Sequence, residues 1–296
     1  MENRGKLNLL LVFFLILANA FVWQALFNLE KDRHLEVSFF DIGQGDAIFI
    51  ETPHKHQILI DGGPSSAILE KLAKEMPFWD RTIDLVILTH PEKDHLAGLL
   101  EVLERYEVKQ ILWTGIIRQT AEYNKWQELI KKEKAKITIA QAPQKIKAGR
   151  VFLSILYPFE SLEGGEFKNS NDTSIISRLI FGNNSFLFTG DATKSVEKKI
   201  LSKCGEKVNC LLDSDVLKVS HHGSKTSSSE EFLKEVSPEI AIISCGKDNI
   251  YGHPHSETLE IFKKYDIEVL RTDINGDIKI ISDGEKIYAR YQIPNF

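Results

Sequence analysis

A short apolar stretch, Leu85-Val86-Ile87-Leu88, runs directly into Thr89-His90-Pro91-Glu92-Lys93-Asp94-His95 and then into the helix-like Leu96-Ala97-Gly98-Leu99-Leu100-Glu101-Val102-Leu103. The pattern predicts a strand whose carboxyl end opens into a turn crowded with ligand-type side chains, followed by a helix. His90, Glu92, Asp94 and His95 offer imidazole nitrogen and carboxylate oxygen, the donors that zinc and manganese accept. A metal site is the expectation. The plainer alternative is a polar loop at a helix start, with Asp94 as a solvated or capping group.

The turn is not alone. From residue 34 onward short strands alternate with helices, with strands at Leu35 to Phe40, Ala47 to Ile50, Gln57 to Ile60, Gln110 to Trp113, 136–139, 151–156, 174–181 and 185–189. Helices are predicted at Ser66 to Lys74, 96–106, about 121–133 and from Ser256, while Gly182-Asn183-Asn184, Asn275-Gly276 and Asp283-Gly284 read as hairpin turns. Alternation in both halves predicts two sheets covered by outer helices. Ligand-type residues recur at the carboxyl ends of these strands: Asp61 after Ile60, His90 after Leu88, Asp191 after Phe188, and His221 and His222 after Val219. Sites in open α/β architectures collect at such ends. Singly, each has a bland explanation: Asp61-Gly62-Gly63 is a turn sequence, Asp191 a helix cap, His221-His222 half-buried polar residues.

The amino terminus is a separate unit. Residues 1–6 form a short tip with Arg4 and Lys6, residues 7–29 carry an apolar run from Leu9 past Phe27, and Glu30-Lys31-Asp32-Arg33 closes it. About twenty apolar residues span a bilayer. The leading cations predict a cytoplasmic tip and an extracytoplasmic remainder, a single-pass cell-membrane protein. Ala18-Asn19-Ala20 resembles a signal-peptidase site, so a secreted product is the alternative. In an exported protein Cys204 can pair with Cys210 and leave Cys245 over, three buried or free thiols being the equal alternative, and no cysteine pattern suggests zinc.

The chain has 296 residues, 43% hydrophobic and 27% charged, with a net charge of −5. It is globular, and its acidic balance excludes the broad basic surface of a high-affinity nucleic-acid binder. A polyanionic substrate has to be held locally, by a metal and a few cations.

Seven blocks in order carry a resemblance: Asp41-Ile42-Gly43-Gln44-Gly45-Asp46-Ala47, Ile60-Asp61-Gly62-Gly63, Thr89-His90-x-x-x-Asp94-His95-x-x-Gly98, Asn171-Asp172-x-Ser174, Thr189-Gly190-Asp191, Ser220-His221-His222-Gly223-Ser224 and Tyr251-Gly252-His253-Pro254-His255. Together they resemble the metallo-β-lactamase superfamily, and more narrowly the soluble hydrolase domain of ComEC-type competence (DNA-uptake) proteins. The resemblance implies an α/β fold, the αβ/βα four-layer sandwich, over residues 34–296, with one or two divalent metal ions at the sheet edges. It also implies a metal-dependent hydrolase, in ComEC-like domains a nuclease thought to degrade one DNA strand during uptake.

Carried over residue by residue, the resemblance places His90 and Glu92 at the first metal, with Asn171 or Asp172 at the family's next ligand position. It places Asp94, His95 and one of His221 or His222 at the second, with Asp191 bridging. The family usually has His or Asp at the place of Glu92 and often His at that of Asn171, so this first site is richer in oxygen, which suits manganese or weakly held zinc. A divalent ion acidifies its water and neutralises charge developing on a phosphate. Asp94 is the candidate to orient that water or take its proton, and His253 and His255 to donate to the phosphate or leaving group; orientation of neighbours or loop packing is their alternative. Three functions follow. One is a membrane-anchored phosphodiesterase or nuclease acting outside the cytoplasm on DNA, with single-stranded DNA as a candidate substrate. Another is a hydrolase of a phosphorylcholine, lactone or thioester, and the third a non-catalytic metal-binding module.

Overall fold

The computed structural model describes residues 2–31, 34–205 and 212–292. The chain divides into two compact units, Met1–His34 and Leu35–Phe296. The first carries one helix, Glu2–Lys31. Its segment Asn8–Leu26 has 19 residues and a mean hydropathy of 2.3, long and apolar enough to cross a bilayer.

The second unit is built on two large mixed sheets. In one, the strands run in the order Ile287–Arg290, Ile278–Ser282, Leu35–Phe39, Ile48–Glu51, Gln57–Ile60, Leu85–Leu88, Gln110–Trp113 and Lys136–Ile139. The other runs Glu268–Arg271, Ile240–Ile243, Val216–Lys218, Asn184–Phe188, Ile176–Phe181, Val151–Tyr157 and Lys145–Ala148. Each sheet is antiparallel at one side and parallel at the other. The parallel register begins at Gln57–Ile60 against Leu85–Leu88 in the first, and at Asn184–Phe188 against Val216–Lys218 in the second.

The strands are apolar without alternation because both faces of each sheet are covered. Odd and even residues go to different cores. Leu85 and Ile87 join Phe39, Ile50, Phe181 and Phe188 between the sheets. Val86 and Leu88 face outward, onto Leu72, Leu99 and Trp126 of the helices Ala67–Glu75, Lys93–Leu103 and Ala121–Lys132. On the other sheet Leu187 and Leu217 pack under Val196, Phe232 and Phe262 of Lys194–Gly205, Glu230–Val236 and Ser256–Lys264. Three apolar interfaces between four layers make the expected αβ/βα sandwich.

Three details depart from the sequence expectation. The helix predicted over 96–106 begins at Lys93, so Asp94 and His95 occupy its first turn rather than a loop. Asn275-Gly276 is no hairpin turn: Asn275 ends the short helix Thr272–Asn275, and Gly276 follows it with a φ of 64°. The strands Lys145–Ala148 and Glu268–Arg271 were not anticipated; both are edge strands, half exposed, with few apolar residues. Cys204 is disulfide-bonded, Cys210 lies outside the described residues, and Cys245 is buried and free.

The helix Lys93–Leu103 meets the turn after Ile60 backbone to backbone. Gly62 N–H donates to the His95 carbonyl at 2.7 Å, and Gly98 N–H donates to that of Gly63 at 2.9 Å. A Cβ on Gly98 would lie 1.8 Å from the Gly62 carbonyl oxygen. Gly98→Ala is therefore expected to push the helix off the turn, carrying Asp94 and His95 with it, and to destabilise the protein by about 1–3 kcal/mol. Denaturant melts of the two proteins check this; coincident midpoints would show that the contact is looser in solution.

Candidate metal centre

Strand ends from both sheets deliver the site. Asp61 follows Gln57–Ile60, His90 follows Leu85–Leu88, Asp191 follows Asn184–Phe188, and His221 and His222 follow Val216–Lys218. The last two adopt left-handed backbone, with φ of 51° and 55°. Non-glycine residues seldom hold that conformation unless their surroundings impose it. Asp94, His95, Asp191 and His222 bring ligand atoms within 4.8 Å of one another.

Asp191 is at the centre. Its Oδ1 lies 3.3 Å from His95 Nε2, and its Oδ2 lies 3.5 Å from His222 Nε2, 3.8 Å from His221 Nε2 and 3.9 Å from His90 Nε2. His222 Nε2 is also 3.3 Å from Asp94 Oδ2.

The other ring nitrogens of three histidines are already committed. His95 Nδ1–H donates to Asp61 Oδ2 at 2.8 Å, and His222 Nδ1–H donates to the Ser244 carbonyl at 2.9 Å. The Thr89 hydroxyl donates to Asp61 Oδ2 at 2.7 Å, so at 3.1 Å it can only accept from His90 Nδ1–H. In each neutral ring the Nε2 lone pair is thus turned to the cluster, the arrangement by which outer partners orient metal-binding imidazoles. His90 Nε2, His95 Nε2 and Asp191 Oδ1 are buried without a hydrogen-bond partner. Unpartnered buried donors and acceptors of this kind fit a divalent cation.

The electrostatics fit it too. Four carboxylates, Asp46, Asp61, Asp94 and Asp191, share this region with one buried lysine, Lys218, which is ion-paired with Asp46 and donates to the Gly190 carbonyl at 3.3 Å. Burial works against charge on Asp191, but His222 and His95 outweigh it and hold the carboxyl well below the carboxylate range. Burial likewise opposes charge on His222, yet Asp191 and Asp46 push the imidazole up to about 9. Burial, aided by His95, pushes His90 down to about 3.

The cluster floors a polar cleft of about 270 Å³, lined among others by Arg118, Lys168, Asn171, Tyr251 and His253. Not every expected ligand enters the cluster. Glu92 lines the cleft, but its Oε1 accepts from Arg118 at 2.5 Å and from Ser170. Asp172 Oδ1 accepts from the Thr193 hydroxyl. Asn171 Nδ2 stands 3.3 Å from His221 Nε2, beside the cluster. His255 Nδ1 accepts from the Lys225 N–H at 3.3 Å, a contact between two loops. His253 lines the cleft, its ring 5.4 Å from that of His221, and burial together with His222 lowers it to about 4. Sequence reasoning missed Lys218, whose Val-Leu-Lys-Val context reads as plain strand, and Arg118, which no motif marks. Asp46 stood inside a quoted block without a role.

Two measurements follow. In metal-stripped protein the raised His222 contributes stability that is complete below about pH 6.5, its ordinary value, and is lost as pH rises through about 9. Thermal midpoints are therefore expected to fall over that window and to flatten on metal loading, which displaces the proton; a flat metal-free profile would count against the buried cationic imidazole. Lys218→Met removes the lysine paired with buried Asp46, leaving only His222 at 3.4 Å and His95 at 3.8 Å to offset its charge, and is expected to cost about 3 kcal/mol in a denaturant melt. Adding Asp46→Asn is expected to recover much of it, and no recovery would refute the pairing.

Known proteins share these features. A match to the metallo-beta-lactamase superfamily spans residues 40–247. ComE operon protein 3 of Bacillus subtilis is 31% identical over 262 residues, covering 82% of this chain and 32% of its own length. Competence protein ComA of Neisseria gonorrhoeae is 30% identical over 251 residues, covering 84% and 32%. The chain thus spans about a third of the length of these relatives. Among solved structures, the metallo-beta-lactamase fold protein YhfI of Bacillus subtilis superposes with a TM-score of 0.53 at 15% identity, covering 86% of this chain and 100% of that one, a likeness of fold alone. With the αβ/βα sandwich and its Asp/His cluster, these matches establish that the chain belongs to the metallo-β-lactamase superfamily, among relatives named for competence.

Proposed function

We propose that this protein is a membrane-anchored, extracytoplasmic, metal-dependent phosphodiesterase that acts on DNA. The observation that carries the reading is the position of Asp191, within 3.9 Å of four histidine nitrogens at the floor of a polar cleft walled by Arg118 and Lys168. His90, Asp94, His95, His221 and His222 are the ligands around it, with Asp191 between them and Asn171 beside His221. A divalent ion held there, zinc or manganese, supplies an acidified water and charge neutralisation at the phosphate.

The chain's own residues do the rest. Burial opposes charge on Asp94, but His95 and His222 hold its carboxyl well below the usual range. Asp94 lines the cleft with its Oδ2 3.3 Å from His222 Nε2, and there it orients the attacking water by accepting its hydrogen bond. Arg118, fixed by Glu92, and the exposed Lys168 supply the local cations that an acidic protein needs to hold a polyanion. The apolar segment Asn8–Leu26 supports the anchor, and a disulfide at Cys204 suits an oxidising compartment.

The net charge of −5 favours a second reading, a smaller phosphate or other ester in place of DNA. Full-length protein in detergent, wild type and Asp191→Ala, assayed on single-stranded DNA and on bis-p-nitrophenyl phosphate with zinc or manganese, separates the two. Cleavage of both substrates, abolished by the substitution, is the expected result. Cleavage of the small diester alone would transfer the assignment to a non-DNA ester, and bound metal without turnover on either would overturn the phosphodiesterase reading.

A further inference from the structure

Gln44, in the loop Gly43-Gln44-Gly45, lines the cleft beside the loop that carries His253, and neither residue belongs to the Asp94, His95, Asp191 and His222 cluster. The two loops are built to touch. A Cβ on Gly246 would lie 2.7 Å from the Gln44 backbone nitrogen, so only glycine admits this approach. At that contact the Gly246 N–H donates to Gln44 Oε1 at 3.1 Å. A backbone N–H cannot accept, and this fixes which way the amide faces: the oxygen toward Gly246, the NH₂ toward His253. Gln44 Nε2 then stands 3.4 Å from His253 Nδ1, and as a donor it requires Nδ1 to be the acceptor.

The remainder of His253 is equally determined. Asn249 accepts from its N–H at 2.9 Å and donates to its carbonyl at 2.6 Å. The Tyr251 ring stacks on the imidazole at 5.7 Å and 21°. The structure gives Nε2 no hydrogen-bond partner among the described residues, and His253 lines the cleft.

We propose that Gln44 is a positioning residue that holds His253 in the Nε2–H tautomer, so that a neutral imidazole donates a hydrogen bond to a phosphate-ester oxygen in the cleft. The inference rests on the hydrolytic reading above and narrows it. His253 stabilises charge on a non-bridging or leaving oxygen and does not act as a base, because its one lone pair is turned away from the substrate onto Gln44. A donor already in place where charge develops acts without reorganisation during the reaction.

The test uses the full chain in detergent with ¹⁵N-labelled histidines, stripped of metal by chelator and then loaded with zinc. His253 is identified by the resonance lost in His253→Gln, and its tautomer is read from the ring-nitrogen shifts and couplings. Wild type is expected to show Nε2–H in both states. Gln44→Glu keeps an acceptor for Gly246 but presents a second acceptor to Nδ1, so a proton is expected there. Gln44→Ala is expected to give a tautomer mixture and to lower kcat on bis-p-nitrophenyl phosphate by about 10- to 100-fold with KM little changed, the scale of losing an outer-shell orienting partner. An Nδ1–H tautomer in wild type, or a Gln44→Glu protein with unchanged tautomer and kcat, would overturn the proposal. If wild type cleaves no ester, the hydrolytic reading fails and the catalytic role of His253 with it, while the nitrogen spectra still decide whether Gln44 sets the tautomer.

Discussion

Buried negative charge is the constraint on which the rest of this structure depends. Asp46, Asp61 and Asp191 are almost wholly enclosed, Asp94 is one-third exposed, and Lys218 is the one buried lysine among them. Removing carboxylates from water is costly unless countercharge and hydrogen bonds replace the hydration. The protein replaces it from both sheets at once. Lys218 shares a strand face with Val216, which belongs to the core between the sheets, and it reaches Asp46 in the loop leading into Ile48–Glu51 of the opposite sheet. Asp191, from the second sheet, faces His95 on a helix of the first. The charge cluster therefore ties the two halves of the sandwich together, and neither half has a stable site without the other.

That dependence accounts for the left-handed backbone within the site. Asp61, His221 and His222 all have positive φ, each at or just beyond a strand end. Such conformations persist only where surrounding contacts determine them. Here the Asp61 carboxylate receives Thr89 N–H, the Thr89 hydroxyl and His95, while the Ser244 carbonyl holds His222. The partners that impose the unusual backbone are the same ones that set the imidazole tautomers. Fold strain and ligand orientation thus have one cause, and a substitution at Thr89 or Asp61 perturbs both.

Much of this was legible in the sequence because strand ends are short and punctuated. Gln57 to Ile60 and Gln110 to Trp113 were bounded to the residue, and the residues expected to cluster after Leu88, Phe188 and Val219 do cluster. What escaped has physical reasons. Lys218 looks like one polar residue in an apolar strand until the opposite sheet presents Asp46. Glu92 has the spacing of a ligand, and nothing near it in sequence announces that Arg118, 26 residues later, donates to its carboxylate. The edge strands Lys145–Ala148 and Glu268–Arg271 lack the apolar pattern because one side of each has nothing to pack against. For Lys218 and Glu92 the missing information was a partner distant in sequence; for the edge strands it was the place in the sheet.

The division of labour between framework and loops follows from the same geometry. Metal-ligating candidates sit on strand ends or a helix first turn, locked by backbone bonds and two apolar layers, where positions vary little. Five other residues that line the cleft, Gln44, Arg118, Lys168, Tyr251 and His253, lie outside the strands and helices, in loops. Loops of this kind change without disturbing a core. A framework that fixes the metal chemistry and leaves recognition to loops accounts for one sandwich serving different substrates. In this protein the cleft wall is held by polar contacts, Gln44 with His253 and Glu92 with Arg118, beside the cluster.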